Sequence, residues 1–195
     1  MHLLVGLGNP GERYVRTRHN AGFLALDVLA ARGQELTPAR VDGDAWLAEV
    51  RLAGQPALLV KPLAYMNASG EALVRLLAQT GATTGDLVVL VDDVALELGT
   101  IRVREQGSDG GHNGLRSIGE ALATTDFVRV RIGVREVGRP LEDLPADLAE
   151  YVLAEFPPAE APVVAAAVTL AADAVECLLT EGVASAMNRF NGRRA

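Results

Sequence analysis

The chain has 195 residues, 49% of them hydrophobic and 22% charged, which is ordinary for a globular protein and far from the composition of a disordered one. That length suits one domain whose core can form without disulfides or a structural metal. The formal net charge of −7, with Lys61 the only lysine, excludes a nonspecific nucleic-acid binder relying on overall positive charge, so any contact with a polyanion has to be local.

The opening Met1-His2-Leu3-Leu4-Val5-Gly6 lacks a basic leader and meets glycine too early for a signal peptide, so a cytoplasmic protein is expected. Leu3–Leu7 predicts the first strand, and Ala21–Arg32 a helix with Asn20 as its N-cap and Gly33 as its stop. Strands at Trp46–Leu52 and Ala57–Lys61 flank Ala53-Gly54-Gln55, a hairpin signal that makes the sheet mixed. A helix over Ser69–Thr80 follows, capped by Ser69 or Asn67 and stopped by Gly81, and then strands at Leu87–Val91 and Thr100–Arg104. The remaining elements are a helix at Gly114–Ala123, a strand at Val128–Val134, and helices at Ala146–Ala154, Ala161–Thr180 and near Ala184–Phe190. Val163–Leu179 carries Asp173 and Glu176 and reads as a buried helix rather than a membrane span, and Cys177 within it as a core residue. The alternation predicts a single α/β domain, a mixed sheet flanked by helices.

Gly6-Leu7-Gly8-Asn9-Pro10-Gly11 satisfies the dinucleotide-binding pattern directly after a strand. Its context does not fit. No helix opens at Gly11, where Glu12-Arg13-Tyr14-Val15-Arg16-Thr17 follows, and no hydrophobic strand ends in an acidic residue about 20 residues on.

Four polar segments fall where loops should leave strand ends: Asn9 to Asn20, Lys61 to Gly70, Asp92-Asp93, and Gly110-Gly111-His112-Asn113-Gly114. They hold two of the three histidines, the asparagines Asn9, Asn20, Asn67 and Asn113, and an aspartate after an apolar run, but no serine nucleophile elbow. Two scattered histidines are too few for a metal site, which leaves general-base catalysis: a neutral imidazole takes a proton from water while a carboxylate fixes its tautomer. Asparagine amides can bind a peptide backbone or a developing oxyanion without charge, although an isolated Asn-Gly or Asn-Pro is more commonly turn chemistry.

Gly6-Leu7-Gly8-Asn9-Pro10-Gly11-x-x-Tyr14-x-x-Thr17-Arg18-His19-Asn20-x-Gly22 resembles the opening signature of the bacterial-type peptidyl-tRNA hydrolases. Lys61-Pro62-x-x-Tyr65-Met66-Asn67-x-Ser69-Gly70, Asp92-Asp93, Gly110-Gly111-His112-Asn113-Gly114-Leu115, Arg131-Ile132-Gly133 and Tyr151-Val152-Leu153 follow in that family's order, so the resemblance spans the chain. It implies a monomer without cofactor, metal or membrane partner that acts on peptidyl-tRNA. It also implies His19 as general base, Asp92 as the group stabilising the imidazole, and Asn9 as the residue distinguishing peptidyl-tRNA from free aminoacyl-tRNA. Tyr14, Tyr65, Asn67 and Asn113 match substrate-binding positions, Met66 and His112 line the same crevice, and Arg104 and Arg131 form a clamp for a tRNA phosphate. A noncatalytic tRNA-binding relative is the rival reading; such a protein would be expected to lose His19 or Asp92, and both are present. The chain departs from the family pattern at Ala64, at Ala95 and in Gln106-Gly107-Ser108-Asp109; Ala95 puts a second acidic group at the crevice rim in doubt.

Overall fold

The computed structural model describes residues 1–195. Thirteen elements carry the chain: β1 (His2–Gly6), α1 (Ala21–Arg32), β2 (Gln34–Asp42), β3 (Ala45–Leu52), β4 (Gln55–Pro62), α2 (Ser69–Thr80), β5 (Leu87–Glu97), β6 (Ile101–Arg104), α3 (Asn113–Leu122), β7 (Val128–Arg135), α4 (Leu148–Leu153), α5 (Ala161–Glu181) and α6 (Val183–Phe190). The strands form one sheet in the order β2-β3-β4-β1-β5-β7-β6. The inner pairs β4·β1, β1·β5 and β5·β7 are parallel; the outer pairs are antiparallel, so the sheet is mixed as expected.

Alternation along the inner strands builds two cores. Leu4, Val88 and Leu90 point to the face covered by α1, α5 and α6. Leu3, Val5, Leu87, Val89 and Val91 point to the face covered by α2 and α3. By composition α5 and its preceding turn are apolar enough to cross a bilayer, but Ala167, Val168, Ala171, Ala172, Val175 and Leu178 bury that surface against the sheet, with Cys177 among them.

One strand has no counterpart among the expected elements. β2 is almost wholly exposed, contains Pro38, and slips register twice against β3, between Glu35 and Thr37 and between Thr37 and Arg40. A polar, proline-interrupted segment can be a strand only at a sheet edge, where neither burial nor full pairing is required. β5 also runs past Val91 to Glu97, which puts Asp92 and Asp93 inside a strand rather than in a loop. α4 is shorter than predicted, starting at Leu148.

The glycine-rich opening serves packing. A Cβ on Gly6 would lie 2.5 Å from the Gly22 carbonyl oxygen, and one on Gly8 would lie 2.7 Å from the Phe23 ring. α1 therefore rests on β1 by direct backbone approach. A Cβ on Gly22 would sit 2.3 Å from the Leu90 carbonyl oxygen and 2.6 Å from both Leu7 N and O, none of which can swing aside. Gly22→Ala is expected to destabilise the fold by about 3 kcal/mol or more, because backbone must shift to admit the methyl group. A denaturant midpoint corresponding to less than about 1 kcal/mol would mean that α1 lifts freely from the sheet.

Candidate functional site

β1, β4 and β5 run parallel, so the segments that follow β1 and β4 emerge at the same edge of the sheet as the end of β5. α1 and α2 leave that edge toward opposite faces, the arrangement that opens a crevice in α/β folds. Asn20 is buried beside Asn9 and does not itself line the crevice. Its side chain caps no helix; instead Oδ1 accepts the Asn9 N–H at 2.8 Å and Nδ2 donates to the Asn9 carbonyl at 3.1 Å, correcting the expected N-cap. Asn9 Oδ1 in turn accepts the Met66 N–H at 3.1 Å, which commits its acceptor and leaves its Nδ2 donors available. Ser69 is not a cap either: it lies within α2, its hydroxyl donates to the Met66 carbonyl, and no side chain caps that helix. Asn67 and Asn113 make no internal side-chain hydrogen bond and line the crevice with free amides.

The polar network of the crevice centres on Asp92, 3% exposed in the middle of the sheet edge. His19 Nδ1 lies 2.9 and 3.0 Å from its two carboxylate oxygens, and His112 Nε2 lies 2.9 Å from Oδ1. The tautomers follow from the neighbours. His112 is the N-cap of α3: its Nδ1 accepts the backbone N–H groups of Gly114 and Leu115 at 3.1 and 3.3 Å, so it carries no proton and Nε2–H donates to Asp92. His19 donates Nδ1–H to the same carboxylate, which leaves its Nε2 as a base. Burial alone would raise the Asp92 pKa, but the imidazoles facing it, His19 foremost, hold it well below the usual carboxylate range. Burial alone would lower the pKa of His19, but the charge and hydrogen bond of Asp92 outweigh it and the net shift is upward.

His19, Asp92 and His112 present donor atoms within 4.8 Å of one another, a grouping that could suggest a metal site. The hydrogen bonds argue against that use. A metal at His112 Nε2 would drive the proton to Nδ1, into the two helix N–H groups it now accepts, so the set is built as a donor chain onto Asp92.

The crevice has a volume of about 580 Å³, and Asn9, Tyr14, His19, Tyr65, Met66, Asn67, Asp92, His112, Asn113 and Arg131 all line it. Tyr65 stands at its mouth, 63% exposed. Arg104 alone among the expected residues lies outside, in an adjoining cavity of about 290 Å³ that shares Asp93, Gly110 and Arg131 with the crevice. Arg102, Arg104, Arg129 and Arg131 meet there because β6 and β7 pair Arg102 with Arg131 and Arg104 with Arg129 on one face. Like charges placed opposite each other across strands are unfavourable unless something compensates them.

A family model described as peptidyl-tRNA hydrolase matches residues 3–195. The chain belongs to the peptidyl-tRNA hydrolase family. It is 44% identical over 192 residues to the peptidyl-tRNA hydrolase of Alkaliphilus oremlandii (strain OhILAs), covering 98% of this chain and 100% of that one. It is 46% identical over 193 residues to the peptidyl-tRNA hydrolase of Chloroflexus aurantiacus (strain ATCC 29366 / DSM 635 / J-10-fl), covering 98% and 99%. The crystal structure of peptidyl-tRNA hydrolase from Acinetobacter baumannii superimposes with a TM-score of 0.86 at 31% identity, over 100% of this chain and 96% of that one.

Several residues that shape this hydrolase's site were not singled out as site residues by the sequence reading. Arg18 is buried between the Tyr151 and Phe156 rings, with its guanidinium 4.9 and 4.8 Å from their centroids, and pairs with Glu160 at 2.7 Å. Together with the bridge between Thr17 and Glu155, it fastens the turn that carries His19 to the end of α4. Arg129 is 1% exposed and lacks an ion pair; it donates to the carbonyls of Gly107, Ser108, Thr125 and Phe127 and so holds the loop leading to Gly110. Burial, followed by the nearby Arg131, lowers its pKa to about 10. Arg131 is held inside the site: one nitrogen meets Asp93 at 3.2 Å and the other donates to the Ser108 carbonyl at 2.7 Å.

Proposed function

We propose that this chain hydrolyses the ester joining a peptide, or an N-blocked amino acid, to the 3′ end of tRNA, with His19 as general base and Asp92 as its partner. The observation that carries the assignment is the bond from His19 Nδ1 to Asp92, which leaves Nε2 as the one basic nitrogen at the crevice. In this reading a water gives its proton to Nε2 as its oxygen attacks the ester carbonyl carbon, and the Asp92 carboxylate stabilises the imidazolium that forms. Free amide donors on Asn9, Asn67 and Asn113 are suited to the carbonyl oxygen as it gains charge, and to the peptide backbone. Collapse of the intermediate breaks the bond to the ribose oxygen, which takes the proton back from His19. The enzyme acts as a cytoplasmic monomer with no cofactor, and Asn9 discriminates against substrates with a free α-ammonium.

The pH profile tests the base. Only neutral His19 accepts a proton, so kcat/KM should rise with pH through its pKa. That pKa is raised from the ordinary 6.5, so the midpoint of the acid limb should lie above pH 6.5. A limb centred lower would contradict the pairing with Asp92.

For tRNA the proposed contact is a phosphate in the arginine-lined cavity, clamped by Arg104 and Arg131. Arg104 makes no internal bond, whereas Arg131 is held by Asp93 and Ser108, so Arg104 should account for most of the affinity. Replacing both by alanine should flatten the slope of log affinity against log salt by roughly 0.7–0.9 per lost contact. Cleavage of a minimal N-blocked ester without the tRNA body should hardly change. Equal losses on the minimal and full substrates would return both arginines to a structural role.

A further inference from the structure

The crevice is lined by four formally charged side chains, and three of them are committed internally. Asp92 accepts from two imidazoles, and Asp93 and Arg131 neutralise each other at 3.2 Å. Asp147 is the fourth. It stands exposed at the start of α4, its Oδ1 accepts the Ala149 N–H at 3.0 Å, and no arginine or lysine pairs with it. Its neighbours on that wall, Leu148, Val152 and Leu153, are apolar, and Leu148 and Leu153 remain 42% and 40% exposed.

We infer that Asp147 reads the charge of the peptide and favours substrates with a basic side chain near the ester. The inference rests on the reading that the crevice holds the peptide. The electrostatics indicate which part of the substrate meets Asp147. The cavity with Arg102 and Arg104 joins the crevice at Asp93, Gly110 and Arg131, whereas Asp147 belongs to the crevice alone. A polyanion is drawn to the arginines and repelled from an uncompensated carboxylate, so the RNA lies on the first side and the peptide on the second. A lysine or arginine suits this wall twice over: its methylene stem lies along Leu148 and Leu153 while its charged head reaches Asp147. Glutamate at the same place would meet repulsion.

The test compares peptidyl esters on one and the same tRNA, N-acetylated, with lysine, norleucine or glutamate in the last or the penultimate peptide position. An exposed ion pair has a modest effect, so in at least one position kcat/KM should favour lysine over glutamate by about three- to tenfold, with norleucine between them. The ratio should shrink as ionic strength rises. Asp147→Asn keeps the helix cap, since asparagine caps as well as aspartate, but removes the charge, and should bring the lysine-to-glutamate ratio close to one. Three results would overturn the inference: a wild-type ratio near one at both positions, a ratio that survives Asp147→Asn, or a change in all substrates alike. A uniform drop would mean that Asp147 only caps α4, and a uniformly lower KM would mean that it faces RNA, so the crevice would not hold the peptide as read.

Discussion

Replacing His19 with alanine is expected to lower kcat on an N-acetyl-aminoacyl-tRNA by a factor of about 10²–10⁴, the usual contribution of a general base. Affinity for tRNA should stay close to wild type, because the arginine-lined cavity lies beside the crevice rather than around the imidazole. The protein should also fold. The His19 turn is held by Arg18 on Glu160 and by the Thr17–Glu155 bridge, and Asp92 still accepts the hydrogen bond from His112 Nε2–H. Measuring kcat, the Kd for tRNA and thermal stability on the same preparation separates the roles. Wild-type turnover in a folded variant would remove His19 from the chemistry.

Asp92→Asn should be comparably damaging, through an effect that follows from the lock on His112. A carboxylate can accept from both imidazoles, whereas an amide has one oxygen and one nitrogen that donates. His112 must present Nε2–H, because its Nδ1 is held by the Gly114 and Leu115 N–H groups. The amide oxygen therefore takes the Oδ1 position, 2.9 Å from both imidazoles, and its nitrogen takes the Oδ2 position, 3.0 Å from His19 Nδ1, to which it donates. His19 then carries its proton on Nε2, the wrong tautomer for a base, and the rate should fall by about 10²–10⁴. Two further variants expose this cause. Adding His19→Ala to Asp92→Asn should cost almost nothing more, since both act through one group. Adding His112→Asn, which can still cap α3, removes the donor that fixes the amide's orientation and should recover part of the lost rate. Additive losses in both combinations would mean that Asp92 acts elsewhere.

The sheet and its flanking helices were legible because their residues obey one periodicity each: Leu3 to Val5 and Leu87 to Val91 face a core on both sides, and α2 buries Ala72, Leu73, Leu76 and Leu77 along one stripe. β2 was not, because an exposed edge strand with a proline has no burial pattern to read. The polar residues of the crevice were identified by motif and position, but their roles depend on partners distant in sequence. Asn20 looks like a helix cap from its place before α1, yet its amide is spent on Asn9, 11 residues away. His112 reads as a crevice residue and turns out also to be the cap of α3. Arg18 and Arg129 look like surface charge in a sequence rich in arginine, and only packing against Tyr151, Phe156 and Phe127 identifies them as buried struts.

The continuation of β5 beyond Val91 bears on how the enzyme fails when heated. Asp92 and Asp93 pair with Ile132 and Gly133 of β7, so the carboxylate that meets His19 belongs to a central strand and not to a loop that could open by itself. Central strands open only with the whole sheet, whereas short exposed helices such as α4 open in small local fluctuations. The crevice wall can therefore breathe, changing how peptides are held and loosening the His19 turn fastened to the end of α4, while Asp92 keeps its place until global unfolding. Warming toward the melting point should erode activity before it unfolds the sheet.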